Sequence, residues 1–311
     1  ITPFLYVGID SSLIIEESSL ESGTGYQGGG IFASGAKKID ISTTKFKNNQ
    51  SVIGAGFYSS QTKEVTIHRN CYFIRNSATR RSDDIYIEKS QTVHLHDNIQ
   101  LLGSTTSSKL NLDSVEQVIL ENIIIDAHPQ EALDVVEGDG VENNPDFIAD
   151  YFRARPIGSQ RYVYPDIFEI EASDILGTEI ITNSGPASMV DCSQIEISAT
   201  VIRGYRSESV SGAVLLEWAS TTPLKIRQNS VVELENVHLI DNISRLGPGG
   251  VNFANPPNVT IRAVTMNGNI SLAGKGGALA FSCNSPTTAP CSVEFTNTEG
   301  TSDSSNHFIN N

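Results

Sequence analysis

Basic residues and long apolar runs are scarce in this chain. Its 311 residues include 21 Lys and Arg against 36 Asp and Glu, and the formal net charge is −15. Nucleic acids and anionic membranes are bound through Lys and Arg, so this charge argues against both as partners. No apolar run approaches the roughly 20 residues of a membrane helix. The sequence therefore predicts no membrane insertion of this segment and suits a soluble, secreted surface.

The sequence contains a repeated motif made of two parts at a fixed spacing. An apolar residue opens a four-residue step that ends in Asn or Gly, and a glycine follows ten or eleven residues after the opening. The openings are Leu20, Phe46, Val201, Leu239 and Met266, their steps end at Gly23, Asn49, Gly204, Asn242 and Asn269, and the following glycines are Gly30, Gly56, Gly212, Gly250 and Gly277. Successive openings lie 26 residues apart from Leu20 to Phe46 and 27 from Leu239 to Met266. Such a period, with short β-rich runs, is typical of a solenoid.

The runs between the turns alternate apolar with polar residues, as in 64–68 and 258–262. Alternation of this kind predicts half-buried strands. We therefore expect an all-β fold, a right-handed parallel β-helix of about ten to twelve coils. At the turns, Asn and Gly accept a left-handed backbone. Asn at the same position of successive coils, including Asn76 after Phe73, also predicts a ladder of hydrogen-bonded amides.

The ends of the chain show neither a leader nor a cap. The sequence opens at Ile1 without an initiator Met or a signal-peptide pattern, and it stops at the apolar step Phe308 to Asn311. A solenoid needs a polar cap at each end. We expect residues 1–311 to form a single β-helix domain of a longer chain, continued by further coils, another domain or a neighbouring subunit.

The repeat is lost in the middle, over residues 126–174. This acidic, Pro-containing stretch is predicted to be an insertion, a loop excursion that either binds a ligand or covers coil edges. Calcium is one ligand to consider, because carboxylates are its usual donors. The carboxylates in question, whose spacing is not that of an EF-hand, are Asp134, Glu137, Asp139 and Glu142.

Cysteines and sequons point to an extracellular location. Cys283 and Cys291 bracket a turn-rich loop and are predicted to form a disulfide, whereas Cys71 and Cys192 are expected to be buried free thiols. Sequons of the Asn-x-Ser/Thr type occur at Asn49, Asn242, Asn258 and Asn269. Three of the four coincide with the repeat Asn, so a structural Asn followed by a small residue could create them with no glycan involved. Turns of this kind should nevertheless be exposed, so at least one glycan is an expectation in a secreting eukaryote.

The Gly-Gly motifs at 28–31, 249–251 and 276–279, alternating with Phe-x-x-Asn at 46–49, 73–76 and 308–311, resemble the repeats of the polymorphic outer membrane protein family. The passenger regions of that family are similar to the pectate-lyase superfamily in being parallel β-helices. The resemblance covers about residues 13–125 and 195–311. It implies a surface-exposed adhesive or structural role.

Asp83 and Asp84 are the candidate catalytic pair, because polygalacturonase-like hydrolases carry an Asp-Asp on their substrate face. Their Gly-His-Gly and Arg-x-Lys motifs are absent here. Asp84 also falls at the position that glycine fills in other coils, where a turn role is the alternative. Other signals are weaker: His94 and His96 lack an evident third metal ligand, and Trp218, Tyr162 and Tyr164 read as packing residues rather than a sugar-binding row.

These observations favour an extracellular structural or adhesive module, in the form of a subunit of a cell-surface filament or appendage. The expected partners are other protein subunits, bound end to end or laterally, and cell-surface glycans. No cofactor is expected, with calcium as the one alternative. A polysaccharide lyase or hydrolase acting on acidic glycans is the competing hypothesis, and it requires carboxylates converging on an open groove.

Overall fold

A computed structural model describes residues 3–103, 108–126, 186–207, 211–218, 230–256, 258–272, 276–283, 291–296 and 306–309. These residues form nine coils of a right-handed parallel β-helix, in which each coil gives one strand to each of three nine-stranded parallel sheets. The fold class predicted from the repeat is confirmed.

The sheets are called A, B and C in the order in which each coil enters them. Sheet A contains β1 Leu5–Val7, β4 Ile31–Ser34, β8 Phe57–Ser60, β12 Ile85–Glu88, β15 Leu110–Asp113, β18 Ala187–Val190, β22 Val214–Glu217, β26 Val251–Ala254 and β30 Leu279–Ser282. Sheet B contains β2 Ser12–Glu16, β5 Lys38–Ser42, β9 Glu64–His68, β13 Thr92–His96, β16 Gln117–Glu121, β19 Gln194–Ser198, β23 Val231–Glu235, β27 Asn258–Arg262 and β31 Ser292–Thr296.

Sheet C contains β3 Ser19–Glu21, β6 Lys45–Lys47, β10 Cys71–Ile74, β14 Ile99–Leu102, β17 Ile123–Asp126, β20 Val201–Arg203, β24 His238–Ile240, β28 Thr265–Asn267 and β32 His307–Ile309. Two short sheets lie between sheet C and the next pass through sheet A. They contain β7 Gln50–Ile53 with β11 Ser77–Arg81, and β21 Arg206–Ser207 with β25 Ile243–Ser244 and β29 Ile270–Ser271.

Alternation in the sequence fixes which side chains fill the core. In β9 the inward residues Val65 and Ile67 are fully buried, and they stack between Ile39 and Ile41 of the coil before and Val93 and Leu95 of the coil after. Apolar side chains therefore repeat in columns through the interior.

Nine coils are described where ten to twelve were expected. Residues 127–185 lie outside the described part of the chain. The fifth coil stacks directly on the sixth across this interval, since β15, β16 and β17 pair with β18, β19 and β20. The predicted insertion at 126–174, Asp126 apart, and its calcium carboxylates Asp134, Glu137, Asp139 and Glu142 belong to the residues not described.

Most of the described corners turn through a left-handed residue placed directly after a strand. After sheet B the first eight coils all have such a residue, with φ between 45° and 60°, and none of them is glycine: Glu17, Thr43, Arg69, Asp97, Asn122, Ala199, Asn236 and Ala263. The regular tertiary pairing on both sides of the corner offsets the cost of this conformation.

The predicted left-handed backbone is confirmed for Gly204, with φ 73°, but is wrong for most of the other repeat asparagines and glycines. Asn49, Asn76, Asn242 and Asn269 do not have positive φ; the left-handed residue is the one before each of them, as at Asn48 and Arg75. Nor do Gly30, Gly56, Gly212 or Gly250. Because the preceding residue takes the turn, the asparagine side chain is aimed into the interior of the coil.

The repeat glycines are required by close packing between coils. A Cβ at Gly30 would lie 2.5 Å from the carbonyl oxygen of Gly56, and one at Gly56 would lie 2.8 Å from that of Asp84. The position, called the glycine slot, comes just before each sheet A strand, and a Cβ there would point at the core beside Phe46 and Phe73. Gly212 and Gly277 lie one residue before the slot, which Ala213 and Ala278 fill in their coils. Asp84 and Lys109 occupy this slot in the fourth and fifth coils.

Candidate functional site

An amide ladder runs through the interior of the first coils. The backbone N–H of Gly23 donates to Asn49 Oδ1 at 2.9 Å, and both the backbone N–H and Nδ2 of Asn49 donate to Asn76 Oδ1 at 3.0 Å. A second ladder in later coils repeats this geometry, with Asn242 donating to Asn269 Oδ1 from its backbone at 3.2 Å and from Nδ2 at 3.0 Å. These bonds satisfy polar atoms that are fully removed from water.

The ladders overturn the expected exposure of three sequons. Asn49, Asn242 and Asn269 are fully buried, and their Nδ2 groups donate to neighbouring carbonyl oxygens. A glycan on any of these nitrogens is incompatible with the folded stack. Asn258, at the start of β27, is exposed, and glycosylation there stays a prediction.

The first ladder ends on a buried charge cluster. Lys109 Nζ lies 3.4 Å from Asp83 Oδ2 and 3.5 Å from Asp84 Oδ2, and the side chains of Lys109 and Asp84 are fully buried. The backbone brings the slot residues together, because Asp83 N–H donates to Ser108 O and Ile85 N–H donates to Lys109 O. A lysine thus faces two carboxylates across one coil spacing, in a site without contact to solvent.

Each carboxylate in the cluster is also held by a fixed donor. Asn76 Nδ2 donates to Asp84 Oδ1 at 2.8 Å, and the backbone N–H of Ala78 donates to Asp83 Oδ1 at 2.8 Å. Asp84 Oδ2 has no hydrogen-bond partner. Burial raises the pKa of the Asp84 carboxyl to about 7, and this effect outweighs the attraction of Lys109. The raised pKa of Asp84 favours its neutral acid form.

This burial contradicts the hydrolase hypothesis for Asp83 and Asp84. Glycoside hydrolysis needs carboxyl groups that reach a sugar in an open groove. Asp83 is 3% exposed and Asp84 is not exposed at all. The turn role was also wrong, since Asp84 does not have a positive φ and its side chain enters the interior.

Tyr205 borders the cluster from the sixth coil, where it takes the ladder position held elsewhere by asparagine. Its backbone N–H donates to Asn242 Oδ1 at 3.2 Å, while its buried hydroxyl has no hydrogen-bond partner. Burial, followed by the charges of Asp84, Asp126 and Asp83, raises the pKa of this phenol well above its ordinary value. Tyr205 therefore lies between the charge cluster at the end of the first ladder and Asn242, the first asparagine of the second ladder.

A histidine cluster lies on the outer face of sheet B. His68 and His96 are register partners on neighbouring strands, with ring centroids 5.3 Å apart, and His94 stacks on His96 at 4.0 Å. Asp97 Oδ2 lies 2.9 Å from His96 Nδ1, and Asp40 Oδ1 lies 2.9 Å from His68 Nε2. Burial and the charge of His96 lower the pKa of His94.

Donor atoms of His68, His96 and Asp97 lie within 4.8 Å of one another, the one group of described residues close enough to share a metal ion. Imidazole and carboxylate are ligands of zinc and neighbouring transition metals. Sequence reasoning singled out His94 and His96 but missed His68. The signal was available, because the aligned strands 64–68 and 92–96 both end in His.

Aromatic rings form a column on the outer face of sheet A that the sequence reading did not anticipate. Tyr6, Phe32, Tyr58 and Tyr86 are register partners, and successive ring centroids are 5.4, 5.4 and 5.6 Å apart. Tyr58 and Tyr86 are buried. Tyr6 is exposed and Phe32 is partly exposed, so the column is accessible at its first two rings.

The remaining sequence candidates serve structural roles or lie outside the described residues. Cys283 and Cys291 form a disulfide. Cys71 and Cys192 are buried free thiols, and burial raises the pKa of each to about 12. Trp218 is buried and donates from Nε1 to Cys192 O at 2.9 Å. Tyr162 and Tyr164 belong to the interval that is not described.

Within the part of the chain that the structure describes, no strand pairs with the outer edges of the first and ninth coils. In the ninth coil the inward-facing side chains Phe281, Phe295 and Phe308 are 40%, 49% and 47% exposed. Their register partners one coil earlier, Phe253, Ile261 and Met266, are completely buried. The three phenylalanines, called the terminal plate, are core side chains that no described coil covers.

Comparison with known proteins identifies no relative: no family model, no curated protein and no solved structure matches this chain. None of the described segments forms a helix of the length and hydropathy that crossing a membrane requires.

Proposed function

We propose that this protein is a structural building unit of an extracellular assembly, in which β-helices stack end to end. The observation that carries the proposal is the terminal plate, where three core phenylalanines are 40–49% exposed beside the free edges of three sheets. An apolar surface of this kind marks a contact with another protein. Unpaired strand edges are templates for further pairing.

The partner that fits the terminal plate is the first coil of a second copy. Strands β1, β2 and β3 form the free edges of the same three sheets at the other end, and every internal coil contact pairs them in parallel. A second copy can therefore continue all three sheets in the same direction. Leu5, Leu13 and Ile15 of its first coil are only partly buried and would cover the plate. Such a head-to-tail contact does not close on itself and produces a filament.

Two further observations support an extracellular location for this unit. The Cys283–Cys291 disulfide fits an oxidising compartment. The similarity of the Gly-Gly and Phe-x-x-Asn repeats to those of the polymorphic outer membrane protein family agrees with a cell-surface role, although fold alone does not assign function. An adhesive role would use the long side faces of the same rod.

Sedimentation velocity across a concentration series tests the stacking. We expect the full chain to form oligomers that grow with concentration, and Phe295→Glu to abolish them, because a charge in the plate cannot be buried without a partner. Val231→Glu is the matched control: Val231 is also an apolar sheet B residue, 41% exposed, but it faces outward on the side of the rod. Equal loss of oligomers in both variants, or a monomer at all concentrations, would refute the proposal.

A further inference from the structure

We propose that Lys109 and Asp84 form an amide cross-link between the fourth and fifth coils. The amine and the carboxyl lie in neighbouring glycine slots, with Nζ 3.5 Å from Asp84 Oδ2 and both side chains fully buried. Holding an amine and a carboxyl in one orientation, away from water, lowers the activation barrier of an intramolecular condensation. Burial also disfavours the charged pair, which the amide removes.

The groups around the pair match the requirements of the reaction. Asp83 Oδ2 lies 3.4 Å from Nζ and can accept its proton. Asn76 Nδ2 donates to Asp84 Oδ1, where negative charge develops when nitrogen attacks the carboxyl carbon. Asp84 Oδ2, without any hydrogen-bond partner, is the oxygen that leaves. The raised pKa of Asp84 supplies the neutral acid, which is the form that an amine attacks.

The step balances with no added reactant. The Lys109 ammonium transfers one proton to the Asp83 carboxylate, and the free amine attacks Cγ of protonated Asp84. Asp83 then protonates the Oδ2 hydroxyl, the C–O bond breaks and water leaves. The nitrogen loses its second proton to Asp83. The products are one amide, one water and a neutral Asp83, with no change in oxidation state.

Mass spectrometry of the folded, then reduced and denatured, full chain tests this bond. We expect an intact mass one water below the value calculated from the sequence. We also expect a tryptic digest that contains a branched peptide joining Asp84 to Lys109 and no cleavage after Lys109. The wild-type chain is sufficient for the test, so it does not depend on the folding of a variant. Full mass together with cleavage after Lys109 would show an ion pair only and overturn the proposal.

Variants separate the roles of the three groups. Lys109→Arg should have the full mass calculated from its sequence, because it cannot form the amide. Lys63→Arg, at an exposed lysine, should be one water lighter than its calculated mass, as the wild type is. Asp83→Asn should leave most of the chain uncondensed, because the proton acceptor is gone. Asp84→Asn should lose ammonia instead of water. Loss of one water from Lys109→Arg would contradict the assignment of the bond.

A second inference rests on the outer face of sheet B and is independent of the first. We propose that His68, His96 and Asp97 bind one divalent transition-metal ion, with zinc as the probe. Three donors within 4.8 Å on a rigid sheet leave further coordination positions for water or a partner group. The Asp40 carboxylate at His68 Nε2 is the usual outer partner of a metal-bound imidazole and leaves the Nδ1 lone pair available.

Isothermal titration of the full chain with zinc chloride alone tests this site. We expect one ion per chain and binding weakened by about tenfold or more in His68→Ala, His96→Ala and Asp40→Asn. His307→Ala, at an exposed histidine in the ninth coil, should bind as the wild type does. No saturable binding, or equal affinity in all the variants, would overturn the proposal.

Discussion

The two asparagine ladders have the same geometry but lie beside glycine slots that hold different residues. In the first ladder, Asn76 Nδ2 donates one hydrogen bond to Phe46 O and the other to Asp84 Oδ1. In the second, Asn269 Nδ2 donates to Leu239 O and the neighbouring glycine slot holds Gly250. The same Asn motif is therefore a neutral support in one half of the stack and a donor to a buried acid in the other.

The difference shows that the residue in the glycine slot determines whether the interior beside it contains charged or titratable groups. Gly30, Gly56 and Gly250 admit only backbone at this position, and the side chains nearest to them are uncharged: Phe46 and Asn49 at Gly30, Phe73 at Gly56 and Met266 at Gly250. Asp84 and Lys109 bring opposite charges into the same place in two successive coils. A solenoid repeat thus tolerates a chemical centre where two adjacent coils depart from the repeat together.

The largest effect should come from removing the Lys109 side chain, which contacts both buried carboxyl groups whether or not the amide has formed. Lys109→Met leaves Asp83 and Asp84 buried without their partner, so we expect a loss of about 3–5 kcal/mol in the free energy of unfolding. Urea unfolding at neutral pH measures it. The exposed control Lys63→Met should change stability by less than about 0.5 kcal/mol. Equal effects of the two variants would contradict the buried cluster.

Breaking each ladder at its second asparagine tests the comparison directly. Asn76→Ala removes the acceptor of Asn49 and also the donor to Asp84, whereas Asn269→Ala removes the acceptor of Asn242 beside an uncharged slot. We expect Asn76→Ala to cost about 1–3 kcal/mol more than Asn269→Ala, the penalty for one more unsatisfied buried group. Paired denaturant titrations check this, and a larger cost for Asn269→Ala would reverse the assignment.

A smaller loss of stability is expected from substituting Gly250, which fills the glycine slot beside the second ladder. Gly250→Ala places a Cβ against the carbonyl oxygen of Ala278, and such overpacking costs about 1–3 kcal/mol. Gly8→Ala is the matched control, since its Cβ would meet only the Tyr6 ring at 3.5 Å. Thermal unfolding should show a lower midpoint for Gly250→Ala alone; similar midpoints would mean that the coils can separate at this slot.

The smallest effect concerns pH. Burial lowers the pKa of His238, next to the second ladder, below its ordinary value of 6.5. The unfolded chain therefore takes up this proton more readily, so the contribution of the neutral imidazole is full above pH 6.5 and is lost as the pH falls through that value. His238→Gln should flatten the stability profile between about pH 5 and 7. An unchanged profile would assign the dependence to other groups.

The sequence was sufficient for the strands and the ladders because both follow a strict period. Alternation placed residues such as Val65 and Ile67 inward, and Phe-x-x-Asn placed Asn49 above Asn76. The corners could not be predicted, because their left-handed positions hold residues such as Thr43 and Ala199 with no preference for that conformation. Tertiary pairing overrides the local propensity there.

Of the sites, the sequence indicated Asp83 and Asp84 but not the residue that defines their chemistry. Lys109 follows no repeat glycine, and its relation to Asp84 appears only when the coils are aligned through Ile85 and Leu110. His68 was missed for a similar reason, since its partner His96 lies in the next coil. Contacts between coils depend on register, which a single reading of the chain does not supply.

The proposed assembly joins the two ends of the rod, so particle length tests that proposal most directly. Negative-stain electron microscopy of the full chain, over rising concentrations, should show rods that lengthen in multiples of one chain without becoming wider. The Phe295→Glu variant should stay at the length of one chain. Wild-type rods of single length at every concentration, or rods that associate only side by side, would contradict end-to-end stacking.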